Sequence, residues 1–192
     1  VQAKLNLILG MNLDIEYIMP AHGIIWKDYI GDIIETYKGI AAQKTENKAV
    51  IVYESVWKHT QQIAESLAEG FSDAGMDVKV YKLSDTKSSI VMREIMDAKI
   101  VCIGSGTYNN VMAPSVAAFL EHIRPCKLKN KKGLAFAAYG WFNQVAKEID
   151  TRMQQSGIES CHDVINQCYT PSDDQLEDYY NIAKEIAKNC QE

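Results

Sequence analysis

From Lys48 onward, continuous apolar runs alternate with stretches whose apolar positions recur at helical spacing. The runs A-V-I-V-Y at 49–53, I-V-C-I-G at 100–104 and L-A-F-A-A-Y at 134–139 predict strands buried on both faces. V-K-V-Y-K-L at 78–83 alternates, as a strand nearer an edge does, and Cys161 to Ile165 is a weak last strand. Between them, Thr60 to Ala74 carries Ile63, Leu67, Ala68 and Phe71 on one stripe, and Gly75 ends that helix in the left-handed position. Ile90 to Met96 predicts a short helix, and Pro114 opens another that continues through V-A-A-F-L-E-H-I. Gln144 to Gln155 predicts a helix closed by Gly157, and Ser172 with Gln175 forms a capping box for a final helix over Asp173 to Asn189. Five strands alternating with five helices predict an α/β fold: a doubly wound, five-stranded parallel sheet with right-handed crossovers. The expected order is 2-1-3-4-5, with a ligand crevice at the carboxyl ends of the first and third strands, where the order reverses.

Residues 1–46 read differently. Ala3 to Met11 fits a short helix, and Ile15 to Met19 a brief strand ended by Pro20. A-H-G-I-I-W follows as a loop pivoting on Gly23. Asp28 to Ile40 places Tyr29, Ile30, Ile33, Ile34 and Tyr37 at helical spacing, and the polar stretch Ala42 to Asn47 is a linker. The chain therefore divides into an N-terminal extension, 1–46, and a main domain, 47–192.

Composition narrows the function classes. With 192 residues, 47% of them apolar, the chain can bury one α/β core with a short segment to spare. A net charge of −5 argues against nucleic-acid or anionic-membrane partners, which need basic patches. No apolar run approaches the roughly 20 residues of a spanning helix. The N-terminal stretch has neither a basic region nor a small-residue cleavage site, so a signal peptide is not expected and the location read from it is cytoplasmic. The first residue is not Met, as expected of a fragment or a processed product. Cys102, Cys126, Cys161, Cys168 and Cys190 include no C-x-x-C pair and predict reduced thiols rather than a disulfide framework or an iron–sulfur or zinc site.

Three loops follow strands on the edge where the crevice is expected. The first, E-S-V-W-K-H-T at 54–60, brings Ser55, Val56, Trp57, Lys58, His59 and Thr60 to a helix N-terminus. Free amides and hydroxyls there attract a phosphate, although Ser55 and Thr60 could equally serve only as helix caps. There is no G-x-x-x-x-G-K-[ST], which disfavours a nucleoside triphosphate. The second, G-S-G-T-Y-N-N at 104–110, offers Ser105, Gly106, Thr107, Tyr108, Asn109 and Asn110 as compact polar groups around one aromatic; the bland alternative is an ordinary turn. The third, A-Y-G-W-F-N at 138–143, sets Tyr139, Trp141 and Phe142 around Gly140, suited either to stacking on a planar heterocycle or to a partner protein. An anionic end, a hydrogen-bonding edge and flat faces together fit flavin mononucleotide (FMN), whose ring would carry the redox chemistry.

M-P-A-H-G-I-I-W at 19–26, G-S-G-T-Y-N-N followed by A-P-S-V-A-A-F-L, and Y-G-W at 139–141 resemble the carboxyl-terminal part of the flavodiiron proteins, the A-type flavoproteins. The resemblance spans essentially the whole chain and implies a flavodoxin-like FMN-binding domain over 47–192. It also implies that 1–46 is the end of a metallo-β-lactamase-like domain. Members of that family reduce oxygen or nitric oxide, with the flavin of one subunit facing the di-iron site of another in a head-to-tail homodimer. His22 matches the family's last iron-ligating histidine, but the H-x-E-x-D-H cluster is absent. One histidine cannot hold two irons, so a di-iron centre is expected only if another chain supplies the rest. Electrons would come from a rubredoxin-like or flavin-reductase donor. Two departures stand out: Lys58 where the family often has a small residue, and the bulky Phe142 with Asn143 after Y-G-W.

The expected function is thus an FMN-binding electron-transfer module, with no catalytic acid, base or nucleophile assigned. The alternatives are a flavodoxin-like NAD(P)H:quinone reductase, for which no nicotinamide feature is present, and a flavin-free interaction scaffold.

Overall fold

The computed structural model describes residues 1–191. The chain forms two compact units, one of residues 1–44 and one beginning at Thr45.

The first unit contains α1 (Gln2–Gly10) and α2 (Ile30–Ala42). The strand expected over Ile15 to Met19 is reduced to a single antiparallel bridge between Ile18 and Trp26. Pro20 and Gly23 interrupt the chain between these two residues, so no ladder extends from the bridge. No residue of either helix is buried.

The second unit comprises β1 (Glu46–Glu54), α3 (His59–Asp73), β2 (Asp77–Lys82), α4 (Ser88–Met96), β3 (Ala98–Tyr108) and β4 (Val111–Met112). It continues through α5 (Pro114–Ile123), β5 (Lys132–Tyr139), α6 (Val145–Gln155), β6 (Glu159–Ser160), β7 (Ile165–Cys168) and α7 (Asp173–Gln191). The sheet runs β2-β1-β3-β5, with β6 and β7 both paired to the outer side of β5. All these pairings are parallel; the short β4 alone is antiparallel, folded back on β3. This is the expected 2-1-3-4-5 arrangement, with its last position divided into two pieces. The strand expected at Cys161 to Ile165 is corrected accordingly: those residues mostly join β6 to β7.

Alternation along the buried strands divides the core. Ala49, Ile51, Tyr53, Ile100, Cys102, Leu134 and Phe136 pack with Ile63, Leu67 and Phe71 of α3 and Ala183, Ile186 and Ala187 of α7. Val50, Val52, Val101, Ile103, Ala135 and Ala137 pack with Val91, Val116, Phe119, Leu120 and Ile149 on the opposite face. The central stretches of β1, β3 and β5 lie between two helix layers and are apolar, which is why they read as unbroken runs. Close contact requires glycine at two points that matter to the packing. A Cβ on Gly104 would stand 2.1 Å from the Phe136 ring, and one on Gly70 would stand 2.2 Å from the Tyr180 carbonyl oxygen, where α3 meets α7. The Ser172 capping box forms as expected: Gln175 N donates to Ser172 Oγ at 3.3 Å and Ser172 N donates to Gln175 Oε1 at 3.0 Å.

Candidate functional site: a cleft at the carboxyl ends of the strands

A cleft of about 310 Å³ opens at the carboxyl edge of the sheet. It is lined by the turn after β1, the end of β3, the loop after β5 and Tyr169 after β7. Its lining contains no Asp, Glu, Lys or Arg; His59 is the one basic side chain on it.

At the end of β1 the chain turns sharply into α3. Glu54 is buried; its Oε1 accepts from the Ser55 amide at 3.0 Å and its Oε2 from the Ser115 hydroxyl at 3.2 Å, with Lys82 Nζ at 4.0 Å. This carboxylate shapes the turn. Lys58 occupies the N-cap position at φ 67°, and no side chain caps the helix. Gln62 is the first residue whose amide reaches back to the Lys58 carbonyl, at 3.0 Å, so the amides of His59, Thr60 and Gln61 lack intrahelical acceptors. Ser55 and Thr60 are buried residues on the cleft, and their hydroxyls bond no other described residue and stay accessible to the cleft. Ser55 and Thr60 therefore do not act as caps. Free amides, two hydroxyls and the positive end of a helix make the arrangement an anion cradle. Lys58 itself is exposed and lies outside the lining.

The second loop is largely strand. β3 continues through Tyr108 and turns at Asn109 and Asn110, both left-handed at φ 47° and 70°. Two such residues between paired strands make the hairpin turn suited to antiparallel twist. Gly106, Thr107 and Tyr108 line the cleft, whereas Asn109 and Asn110 do not. Asn110 holds the rim, accepting from Trp141 Nε1 at 3.1 Å. Ser105 is fully buried and structural: it donates to the Gly106 carbonyl at 2.7 Å and accepts from the Ala113 amide at 2.8 Å. A Cβ on Gly106 would lie 3.6 Å from Tyr108 Cε2 and 3.7 Å from Thr60 Oγ1, ordinary contacts within the cleft lining.

Of the third loop, Tyr139, Gly140 and Trp141 line the cleft together with Ala138. Trp141 and, across the sequence, Trp57 are 80% and 79% exposed. Phe142 turns the other way and packs against the core beside α6; its carbonyl accepts from Thr107 Oγ1 at 3.4 Å. Phe142, grouped with Tyr139 and Trp141 around Gly140 in the sequence, thus lies outside the cleft lining. Burial pushes the Tyr108 and Tyr139 phenols above their ordinary range, so both remain neutral at physiological pH.

The sequence reading missed Tyr169. It stands after β7 at φ 56°, donates its amide to the Tyr139 carbonyl at 2.8 Å and lines the cleft. Next to it, Thr170 Oγ1 stands 3.2 Å from His59 Nδ1. Had the last strand been placed at 165–168, the aromatic immediately beyond it would have marked the same edge as the other three loops. His22 is exposed in the first unit, and no group of three or more His, Cys, Asp or Glu side chains suited to a metal gathers among the described residues.

The flavodoxin sequence profile matches residues 51–182. The chain belongs to the flavodoxin family. Within it, the chain is homologous to the flavodoxin domain of flavodiiron nitric oxide and oxygen reductases. It is 37% identical over 188 residues to a nitric oxide reductase of Moorella thermoacetica, covering 97% of this chain and 47% of that protein. The rubredoxin oxygen:oxidoreductase of Desulfovibrio gigas superposes with a TM-score of 0.94 at 31% identity, over 98% of this chain and 48% of that one. A flavodoxin from the domain Archaea superposes at 0.69 with 25% identity, over 76% of this chain and 99% of its own. The chain spans about half the length of the curated flavodiiron relatives it matches. The quinone-reductase alternative is not favoured by these relatives.

Proposed function

We propose that the cleft binds FMN and that the domain passes electrons through it as the flavin module of a flavodiiron-type oxidoreductase. The observation that carries this reading is the pairing of the uncapped α3 N-terminus, with the unengaged Ser55 and Thr60 hydroxyls, and a cleft walled by Trp57, Tyr108, Tyr139, Trp141 and Tyr169. The first would hold the phosphate by neutral donors, and the aromatic walls would hold the ring. When bound, FMN supplies the capacity to accept and release electrons. The chain's own residues bind and orient it: the α3 amides fix the phosphate, the glycines at 106 and 140 admit the ligand against backbone, and the neutral phenols of Tyr108 and Tyr139 keep negative charge away from the ring.

The first unit supports a flavodiiron context. None of its residues is buried, and Met19, Ile24, Ile25 and Ile40 are each more than half exposed. Apolar surface on that scale calls for a covering partner. In our reading, residues 1–46 are the end of a metallo-β-lactamase-like domain whose remainder, in this chain's full-length form or another chain, supplies the other iron ligands beside His22. Electron supply by a rubredoxin-like or flavin-reductase donor, a head-to-tail homodimer and a cytoplasmic location belong to the same reading. Among the described residues no helix is long and apolar enough to cross a membrane.

The visible spectrum of the purified chain, with and without added FMN, tests the proposal. The expected result is a flavin spectrum perturbed by protein at one equivalent; no binding on titration overturns it. Iron analysis of the same sample tests the second part, since two irons held by this chain alone would contradict it.

A further inference from the structure

We infer that Tyr169, which the strand order brings to the cleft from the far edge of the sheet, is a flavin-contacting residue that also sets the position of the Gly140 peptide. The inference rests on the FMN reading of the cleft. Three observations combine. The backbone of Tyr169 is left-handed, a conformation that disfavours a bulky aromatic and persists only where surroundings impose it. Those surroundings are explicit: its amide donates to the Tyr139 carbonyl at 2.8 Å, Cys168 Sγ stands 3.8 Å from the Gly140 carbonyl, and Thr170 meets His59 on the other side. The loop after β7 is thereby tied both to the loop after β5 and to the start of α3.

The ring gains little from folding in return. Tyr169 is 61% exposed and its hydroxyl bonds no other described residue. The tip of the ring lies beside Gly140, leaving room for little more than a methyl group: a Cβ built there would stand 3.4 Å from Tyr169 Cε1 and 3.5 Å from its Oη. A strained backbone therefore holds the tip of an exposed aromatic ring beside the one glycine of the aromatic loop, inside the cleft. A residue selected for folding at this position would be glycine or asparagine, which accept the left-handed conformation readily. The ring is accounted for by a ligand that packs against it, and the bonds from this loop to the Tyr139 and Gly140 carbonyls fix the backbone presented to that ligand.

The test compares the full chain with Tyr169→Gly, Tyr169→Asn and Tyr169→Phe. Glycine and asparagine keep the backbone conformation and remove the ring; phenylalanine keeps the ring and removes the hydroxyl. Dissociation constants come from quenching of flavin fluorescence, and the reduction potential of the bound flavin from dye-equilibrated titration. The expected result is FMN binding weakened about tenfold in both ring-less variants, with a displaced potential, while Tyr169→Phe matches the unaltered chain in both. Ring-less variants within twofold of the unaltered chain in affinity and unchanged in potential overturn the inference, as does an equal loss in Tyr169→Phe. Absence of FMN binding by the unaltered chain overturns the FMN reading itself, a result distinct from either.

Discussion

Lys58 separates two ways in which the turn after β1 could hold an anion. If its ammonium supplies the attraction, removing it should abolish binding. If the α3 amides and the Ser55 and Thr60 hydroxyls do, Lys58 is a spectator standing in an awkward backbone conformation. The geometry favours the second account, because Lys58 is exposed, does not line the cleft and lies at φ 67°. Replacing it with glycine relieves a left-handed residue, worth about 1–2 kcal/mol. The extra freedom of glycine in the unfolded chain offsets about 0.4–1 kcal/mol of that. The net is a stabilisation of about 0.5–1 kcal/mol, or a melting temperature raised by about 1–4 °C in a domain of this size. An exposed charge contributes at most about 1 kcal/mol, so the FMN dissociation constant should rise less than about fivefold. Thermal unfolding followed by circular dichroism and FMN titration at moderate salt measure both quantities. A fall in melting temperature would refute the backbone argument. A loss of affinity beyond about tenfold would refute the assignment of the phosphate to neutral donors.

Three further outcomes follow from the packing. Gly104→Ala drives a methyl group into the Phe136 ring in the centre of the sheet and should destabilise the fold by about 1–3 kcal/mol in denaturant titration; a neutral result would show that the ring can move aside. Lys131 is buried, with Nζ donating to the Met96 and Ala98 carbonyls at 2.9 and 3.0 Å, and burial pulls its pKa down from 10.5 to about 8. Its folded pKa lies below its unfolded one, so its contribution is most favourable above about 10.5 and is lost as pH falls through about 8. Buried tyrosines and cysteines oppose this trend at high pH, so the measurement is the stability gap between the native chain and Lys131→Met, which should shift in favour of the native chain from pH 8 to 10.5; a flat gap refutes it. Finally, both cores lie within the second unit, so deletion of residues 1–44 should leave its melting temperature within about 2 °C and its FMN affinity unchanged; a large fall in either would show that the first unit supports the second.

Much of the fold was legible because a sheet covered on both faces forces apolar residues at successive positions, as in Ala49 to Tyr53 and Leu134 to Ala138. The outer edge was not. There Ile165 and Gln167 face inward while Asn166 and Cys168 face out, and the inward glutamine disguises the alternation. Gln167 can be buried only because Tyr179 donates to its Oε1 at 2.5 Å and its amide nitrogen reaches Gln175 Oε1 at 3.2 Å, contacts made by a helix that lies further along the chain. Ser105 to Tyr108 carry the composition of a loop yet extend β3: Ser105 is buried because its hydroxyl bonds Gly106 and Ala113, and Gly106 to Tyr108 are only half-buried, so no apolar run marks the strand there. The site was legible to the extent that chemistry follows strand ends. Phe142 and Tyr169 mark the limit: both are aromatics beside the cleft, but one turns into the core and the other onto the cleft, and nothing in their local sequence distinguishes them.

The division of labour in the cleft bears on why Lys58 and Tyr169 are tolerated. Both are non-glycine residues in left-handed backbone, at opposite edges of one site, and the loops that carry them meet where Thr170 faces His59. Strained residues persist where neighbouring contacts over-determine them. Here the contacts are the buried Glu54 carboxylate below the first loop and the Tyr139 carbonyl beside the second. At Lys58 the side chain is exposed and outside the cleft lining, so the strain serves only the backbone path that exposes the α3 amides, and glycine would serve it as well. At Tyr169 the side chain itself lines the cleft, so glycine would preserve the path and lose the wall. The same substitution at the two positions should therefore have opposite consequences for FMN: near-neutral at the phosphate end and damaging at the ring end.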